Sequence, residues 1–215
     1  MPAFIPDLSV ILAFALASLV LIITPGPDMA LQMSRAINYG FWHGIMTGLG
    51  AMTGIAVHTT LVALGISVLI IAAPPLFLAL KIAGAVYLIW LAWQAITRGG
   101  GLRLAETGQK APTLLQSFMT GVGINLLNPK VVLFFVTFLP QFVDAHDAAA
   151  PQKLFFLGFE FIFLSLPLMV VFVYFAERIA DTFRRTKWVE RAINWSFAGI
   201  FTVFAATILT AQARH

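Results

Sequence analysis

Residues 8–34 read LSVILAFALASLVLIITPGPDMALQMS, an apolar run that is interrupted by a proline-rich segment and then resumes. A helix needs about 20 predominantly apolar residues to span the hydrocarbon core of a bilayer, and this stretch exceeds that length. Pro25 and Pro27 each lack the backbone N–H of a helix and clash with the preceding turn. The stretch therefore predicts a membrane-spanning helix that is kinked or broken at these prolines.

The composition of the whole chain agrees with a membrane protein. Of its 215 residues, 60% are hydrophobic and 10% are charged, whereas soluble domains carry about 25% charged residues. Such a chain cannot cover itself with polar surface, so its solvent must be lipid. The apolar runs are continuous rather than alternating, which favours helices over a barrel. The lack of cysteine excludes disulfides and thiolate metal sites.

Five further apolar runs have the length of a membrane span. The six predicted spans cover residues 8–34, 43–72, 75–97, 114–140, 153–176 and 192–212. The sequence thus predicts an all-α membrane protein with six transmembrane helices.

The basic residues predict the orientation of these spans. The net charge of +4 comes from residues between the spans, so it indicates topology rather than nucleic-acid binding. The 98–113 linker and the 177–191 loop carry most of the loop Lys and Arg and lie on the same side. We expect both loops in the cytoplasm, both termini outside, and the chain in the cytoplasmic (inner) membrane. The 177–191 loop also predicts a short amphipathic surface helix.

The 98–113 linker divides the chain into two three-helix halves, residues 1–97 and 114–215. Two such units must have opposite orientations, as in the inverted repeats of secondary transporters. The first helix of the second half carries Asn128-Pro129-Lys130, which predicts a second break at a matching place. Interrupted helices at corresponding positions of two halves point to a binding site, although a single proline in a membrane helix can also be a simple kink.

A charged residue follows the last proline of each break. When Pro27 is aligned with Pro129, Asp28 falls on Lys130. A charge deep in a bilayer must be paired or hydrated, so we expect Asp28 and Lys130 to lie close together across the pseudo-symmetry axis. An amino-acid zwitterion would place its ammonium group on Asp28 and its carboxylate on Lys130. A static ion pair that holds the two halves together is the alternative.

Residues at the breaks complete this predicted substrate site, because interrupted helices expose backbone groups that can hydrogen-bond a solute. The residues are Thr24, Gly26 and Asn128. The sequence contains no cluster of metal ligands and no nucleophile or phosphate-binding motif. We therefore expect neither a metal, a cofactor nor an enzyme.

Other polar and small residues within the spans have two interpretations each. Lys81 and Glu160 could form a second ion pair or line the pathway, and Lys81 could instead reach the interface. His58 could carry a proton or be a hydrogen-bonded packing residue. Four glycines of the second span, Gly44, Gly48, Gly50 and Gly54, are spaced for close helix approach. They favour packing within the chain, with a homodimer face as the alternative.

The chain resembles the LysE/RhtB family of amino-acid exporters over nearly its whole length. The motifs that carry the resemblance are Thr24-Pro25-Gly26-Pro27, Leu80–Leu88, and Asn125–Lys130 with its continuation through Phe134-Phe135 to Leu139–Phe142. The resemblance implies efflux of amino acids across the cytoplasmic membrane, driven by the proton motive force rather than by ATP. Substrates in such a family differ. The apolar content near the breaks favours a neutral amino acid, such as homoserine, threonine or a leucine-like solute. Asp28 occupies a position where an asparagine is also common in such proteins.

The sequence leaves two other function classes open. A transporter of inorganic cations would need several carboxylates or carbonyls, and only Asp28 and Glu160 supply carboxylates within the predicted spans. A membrane enzyme would need a catalytic set, which the motifs do not provide.

Overall fold

The structure is a computed structural model. It describes residues 4–72 and 111–185 apart from 145 and 146, and single helical positions at 86, 93, 188, 192, 195, 199 and 202. Most of the predicted third and sixth spans, most of the 98–113 linker, and Lys81 lie outside the described residues.

The described residues form helices and turns, without a strand. The helices are α1 (Leu8–Ile23), α2 (Pro27–Tyr39), α3 (Phe41–Ala72), α4 (Leu114–Leu126), α5 (Pro129–Leu133), α6 (Ala150–Tyr174) and α7 (Ala176–Arg185). A π-helical turn (Phe134–Phe138) and a 3-10 turn (Leu139–Phe142) continue α5.

Both predicted helix breaks are confirmed. The chain bends by 52° between α1 and α2 and by 55° between α4 and the segment that follows Pro129. Gly26 is the N-cap of α2, and Asn128 is the N-cap of α5, where its side-chain oxygen accepts a hydrogen bond from the backbone N–H of Lys130 at 3.0 Å. Each helix restarts with proline at its first position, where the missing N–H costs no hydrogen bond.

Two described helices, α3 and α6, are each long and apolar enough to cross a membrane. The count rises to four if each bent pair forms one span. The outer surface of these helices is also apolar. Leu8, Leu12 and Leu16 lie on one exposed face of α1, and Phe159 and Phe163 project from α6. An apolar surface of this kind suits a lipid environment rather than water.

The surface helix predicted within 177–191 is confirmed for the part that the structure describes. In α7, Ala176 and Ala180 are buried, whereas Glu177, Arg178 and Asp181 are exposed. The apolar face packs against Met29 and Met33 of α2, so the charged face of the helix is the exposed one.

An aromatic cluster forms the centre of the hydrophobic core. The ring of Phe134 lies tilted against the rings of Phe138 and Phe161, with centroids 4.9 and 5.7 Å apart. Its centroid is 6.0 Å from that of Phe14 in α1. The π-helical turn brings Phe134, Phe135 and Phe138 onto this buried side. The cluster joins α1, the π-helical turn that continues α5, and α6, and therefore packs the segment before the first helix break against the segment after the second.

The glycines of α3 pack within the chain, as the favoured interpretation predicted. A Cβ at Gly44 would lie 2.8 Å from side-chain atoms of Ala36 and Val173, and one at Gly48 would overlap Met169. A Cβ at Gly50 would overlap the backbone of α4, and one at Gly54 would overlap Asn125. These positions allow α3 to lie in direct contact with α2, α4 and α6.

Gly121→Ala is expected to destabilise the protein by about 1–3 kcal/mol. A Cβ at Gly121 would overlap the backbone carbonyl of Thr47, so α3 and α4 would have to separate. Thermal unfolding of the purified protein in detergent measures the effect. Gly123→Ala is the matched control, because a Cβ there meets nothing within 4 Å, and alanine favours the helix. Equal melting temperatures for the two variants would contradict the predicted contact.

Candidate functional site

A cavity of about 70 Å³ lies where the two helix breaks meet. One water needs about 10–15 Å³, so the cavity has room for several waters or a small solute. Its wall contains polar residues from α2, α4, α5, α6 and both breaks, and apolar residues between them. The polar lining residues are Thr24, Asp28, Gln32, Asn125, Asn128, Lys130 and Ser165, with the backbone of Gly26 beside them. All five residues predicted to bind substrate are among these.

Lys130 caps the end of the opposite broken helix. Its ammonium group donates hydrogen bonds to the carbonyls of Leu21 at 3.0 Å and Thr24 at 2.8 Å. The last carbonyls of a helix have no partner within the helix and carry the negative end of its dipole. A lysine from the second half therefore stabilises the interrupted end of α1 while it borders the cavity.

Gly26 leaves the space that this lysine occupies. A Cβ at Gly26 would lie 3.3 Å from the Lys130 Nζ and 3.6 Å from its Cδ. The glycine between the two prolines thus has a role beyond breaking the helix, since it lets the ammonium group approach the backbone.

Asp28 lies in the first turn of α2, where the helix dipole favours a negative charge. Its Oδ2 accepts a hydrogen bond from the side-chain amide of Asn125 at 2.7 Å. Its Oδ1 is buried and has no hydrogen-bond partner among the described residues. Lys130 lies close enough for the two charges to attract. Because a buried carboxylate oxygen without a partner is costly, Asp28 offers a site for a cationic group.

His58 of α3 is linked to this carboxylate through Asn125. Its Nε2 lies 3.4 Å from the Asn125 backbone oxygen, and its ring stacks on Phe135 with centroids 6.2 Å apart. His58 is buried but does not line the cavity. The geometry is compatible with both interpretations of this histidine, a packing residue and a proton carrier.

Glu160 lies on α6 and away from the cavity lining. Its Oε2 is buried, and within the part of the chain that the structure describes it has no hydrogen-bond partner. Its predicted partner Lys81 is outside that part, so their pairing stays a prediction.

Three polar lining residues were not predicted as site residues: Asn125, Gln32 and Ser165. Gln32 follows Asp28 by four residues, and side chains at this spacing share a helix face. Helical periodicity could therefore have identified Gln32. The contact of Asn125 with Asp28 joins positions far apart in sequence, and no local pattern indicates it.

Comparison with known proteins identifies the family. The profile of the LysE type translocators matches residues 19–212. A homoserine/homoserine lactone efflux protein of Salmonella typhimurium is 32% identical, covering 94% of this chain and 96% of the relative. A leucine efflux protein of Klebsiella pneumoniae is 29% identical, covering 94% and 95%. An uncharacterized membrane protein of Vibrio cholerae is 30% identical, covering 96% and 100%. No solved structure matches the chain significantly. The chain belongs to the LysE type translocator family.

Proposed function

We propose that the protein exports a small neutral amino acid across the cytoplasmic membrane as a secondary-active transporter driven by the proton motive force. The observation that carries this proposal is one cavity, at two helix breaks, bordered by both a carboxylate and an ammonium group. The names of the Salmonella and Klebsiella relatives, homoserine and leucine efflux proteins, support an amino acid as the solute.

The ends of a zwitterion match the charges at the cavity. The substrate ammonium group binds the Asp28 Oδ1, which is buried and without a partner in the described part of the chain. The substrate carboxylate is attracted by Lys130. Thr24, Gly26 and Asn128 border the same space and supply backbone or amide groups at the breaks. Recognition of both ends explains how one site accepts α-amino acids as a class.

Proton coupling requires a group that changes its charge during the cycle. Asp28 is the first candidate, because a proton and a substrate ammonium group would compete for the same carboxylate. His58 reaches Asp28 through Asn125, and Glu160 has a buried oxygen without a partner in the described structure. These residues supply the coupling and pathway positions of the proposed mechanism.

Two inverted three-helix repeats, residues 1–97 and 114–215 with a cytoplasmic 98–113 linker, form the proposed architecture. Its support is a repeated order of elements, in which a bent pair precedes a long apolar helix. The α1–α2 pair precedes α3, and the α4–α5 pair precedes α6. Both termini face outward in this proposal, and residues of the two halves meet at the cavity.

An outside-acid pH gradient is expected to accelerate the loss of a neutral amino acid from proteoliposomes. The vesicles are loaded with labelled amino acids, and a protonophore should remove the acceleration. Empty liposomes give the background rate. If the amino acid is lost at the same rate with and without the gradient, proton coupling is contradicted, whereas export of the amino acid is not. Movement of inorganic cations without any amino-acid loss would overturn the proposed function in favour of cation transport.

A further inference from the structure

Gln32 places an uncharged amide in the wall of the cavity. Its side chain is 7% exposed, lies in the cavity wall and makes no hydrogen bond with any residue that the structure describes. Thr24 donates to Val20, Ser165 donates to Phe161 and Asn125 donates to Asp28. The Oδ1 atoms of Asp28 and Asn125 are buried and have no hydrogen-bond partner among the described residues. The amide of Gln32, in contrast, borders the open space of the cavity, so a bound solute can reach it.

The position of Gln32 relates its amide to the charge of Asp28. It lies on α2, four residues beyond Asp28, so the two side chains share a face and are about one helical turn apart. Its amide oxygen points toward α3, where a Cβ added to Gly48 would lie 3.3 Å from it. Met169 lies beside the same glycine, and Met29 and Phe172 also line the cavity. The cavity wall therefore offers a carboxylate at Asp28 and, about one helical turn further along α2, an uncharged amide at Gln32.

We propose that Gln32 hydrogen-bonds the side chain of the exported amino acid and selects a short, uncharged side chain that carries a hydroxyl or a similar group. This inference rests on the proposed function of the same cavity. A solute held by its ammonium group at Asp28 directs its side chain along α2 toward Gln32. An aliphatic side chain of equal size would bury the amide without a partner, and a site of this kind rejects such an analogue strongly.

Homoserine and norvaline test the inference, because they have the same shape and differ by a terminal hydroxyl or methyl group. In proteoliposomes, the intact protein is expected to transport homoserine about 10- to 100-fold more efficiently than norvaline. Gln32→Met, a change of nearly equal size, should bring this ratio close to one. Asn38→Leu removes an amide from the same helix outside the cavity lining and should leave the ratio unchanged.

A gain of function separates selectivity from misfolding. Gln32→Glu is expected to accept 2,4-diaminobutyrate, which carries an ammonium group where homoserine has its hydroxyl, and the intact protein should reject it. If the intact protein transports homoserine and norvaline equally, the inference is overturned while the proposed function stands. An unchanged ratio in Gln32→Met, or no gain in Gln32→Glu, would overturn it in the same way. If the intact protein transports no amino acid at all, both fail.

Discussion

Lys130→Met is expected to lower export by about 10- to 100-fold at matched membrane abundance. The substitution leaves the carbonyls of Leu21 and Thr24 without their donor and removes the positive charge that attracts Asp28. It also removes the ammonium group that attracts the substrate carboxylate, and losing a hydrogen bond to a charged group costs about 1.5–3 kcal/mol, a factor of about 10 to 100. Loss of labelled amino acid from preloaded cells measures the effect.

Lys130→Arg separates charge from geometry. The guanidinium group keeps the positive charge, but it is larger and planar, and Gly26 lies against the Lys130 Nζ. We expect this variant to export at less than about a tenth of the intact rate. A misplaced charged group makes weaker hydrogen bonds, and a loss of about 1.4 kcal/mol lowers a rate tenfold. Export at the intact rate would show that charge alone is required at this position.

The double variant Asp28→Asn/Lys130→Met tests whether the two residues form only a structural pair. It contains neither charge, so membrane abundance should recover relative to Lys130→Met. Export should stay at background, because the groups that bind the ends of the substrate are gone. Restored export in the double variant would make the pair structural and would move the substrate site elsewhere.

Lys153→Met is the matched control for the loss of a lysine charge. Lys153 lies at the start of α6 and pairs with Asp147, which lies just before that helix. Both side chains are partly exposed. The hydrogen bonds from Lys153 and from the backbone N–H of Ala149 hold the pKa of Asp147 below its usual value. An exposed pair contributes little to stability, so export should remain at the intact rate.

The breaks in the helices could be predicted from sequence because their cause is local. Proline cannot continue the hydrogen-bonding pattern of the turn that precedes it, and this holds whatever packs around it. The segments Pro25–Pro27 and Asn128–Pro129 therefore located the two bends and, through them, the cavity. The same local chemistry predicted the faces of α7, since an amphipathic pattern belongs to the helix itself.

The partners within the site could not be predicted, because they depend on how distant segments pack. The Lys130 ammonium group was expected to face Asp28, and its hydrogen bonds to the carbonyls of Leu21 and Thr24 at the end of α1 were not predicted. Asn125 reaches Asp28 only because Gly54 lets α4 approach α3. The predicted fourth span at 114–140 also contains a change of helix type that was not predicted. A π-helical turn and a 3-10 turn follow Leu133. The pattern of hydrophobic residues does not distinguish these helix types from one another.

Asp28→Asn is expected to raise the apparent KM for the exported amino acid by about 10- to 100-fold, because a hydrogen bond to a charged group contributes about 1.5–3 kcal/mol. Asparagine keeps the size of the side chain and can still accept the hydrogen bond from Asn125. The fold and membrane abundance should therefore stay close to those of the intact protein. Concentration dependence of transport in proteoliposomes measures the change.

A substrate without an ammonium group shows whether this loss reflects direct binding. The corresponding 2-hydroxy acid has a hydroxyl group where the amino acid has its ammonium group, so it gains little from the Asp28 charge. Its transport, already weak in the intact protein, should fall less than that of the amino acid in Asp28→Asn, by at most about 2- to 12-fold, because a contact to a neutral group contributes only about 0.5–1.5 kcal/mol. An equal loss for both solutes would mean that Asp28 acts through the structure of the site.

If Asp28 also carries the coupled proton, the remaining amino-acid transport of Asp28→Asn should no longer respond to a pH gradient. A preserved response would assign the proton to another group, with His58 and Glu160 as the next residues to substitute.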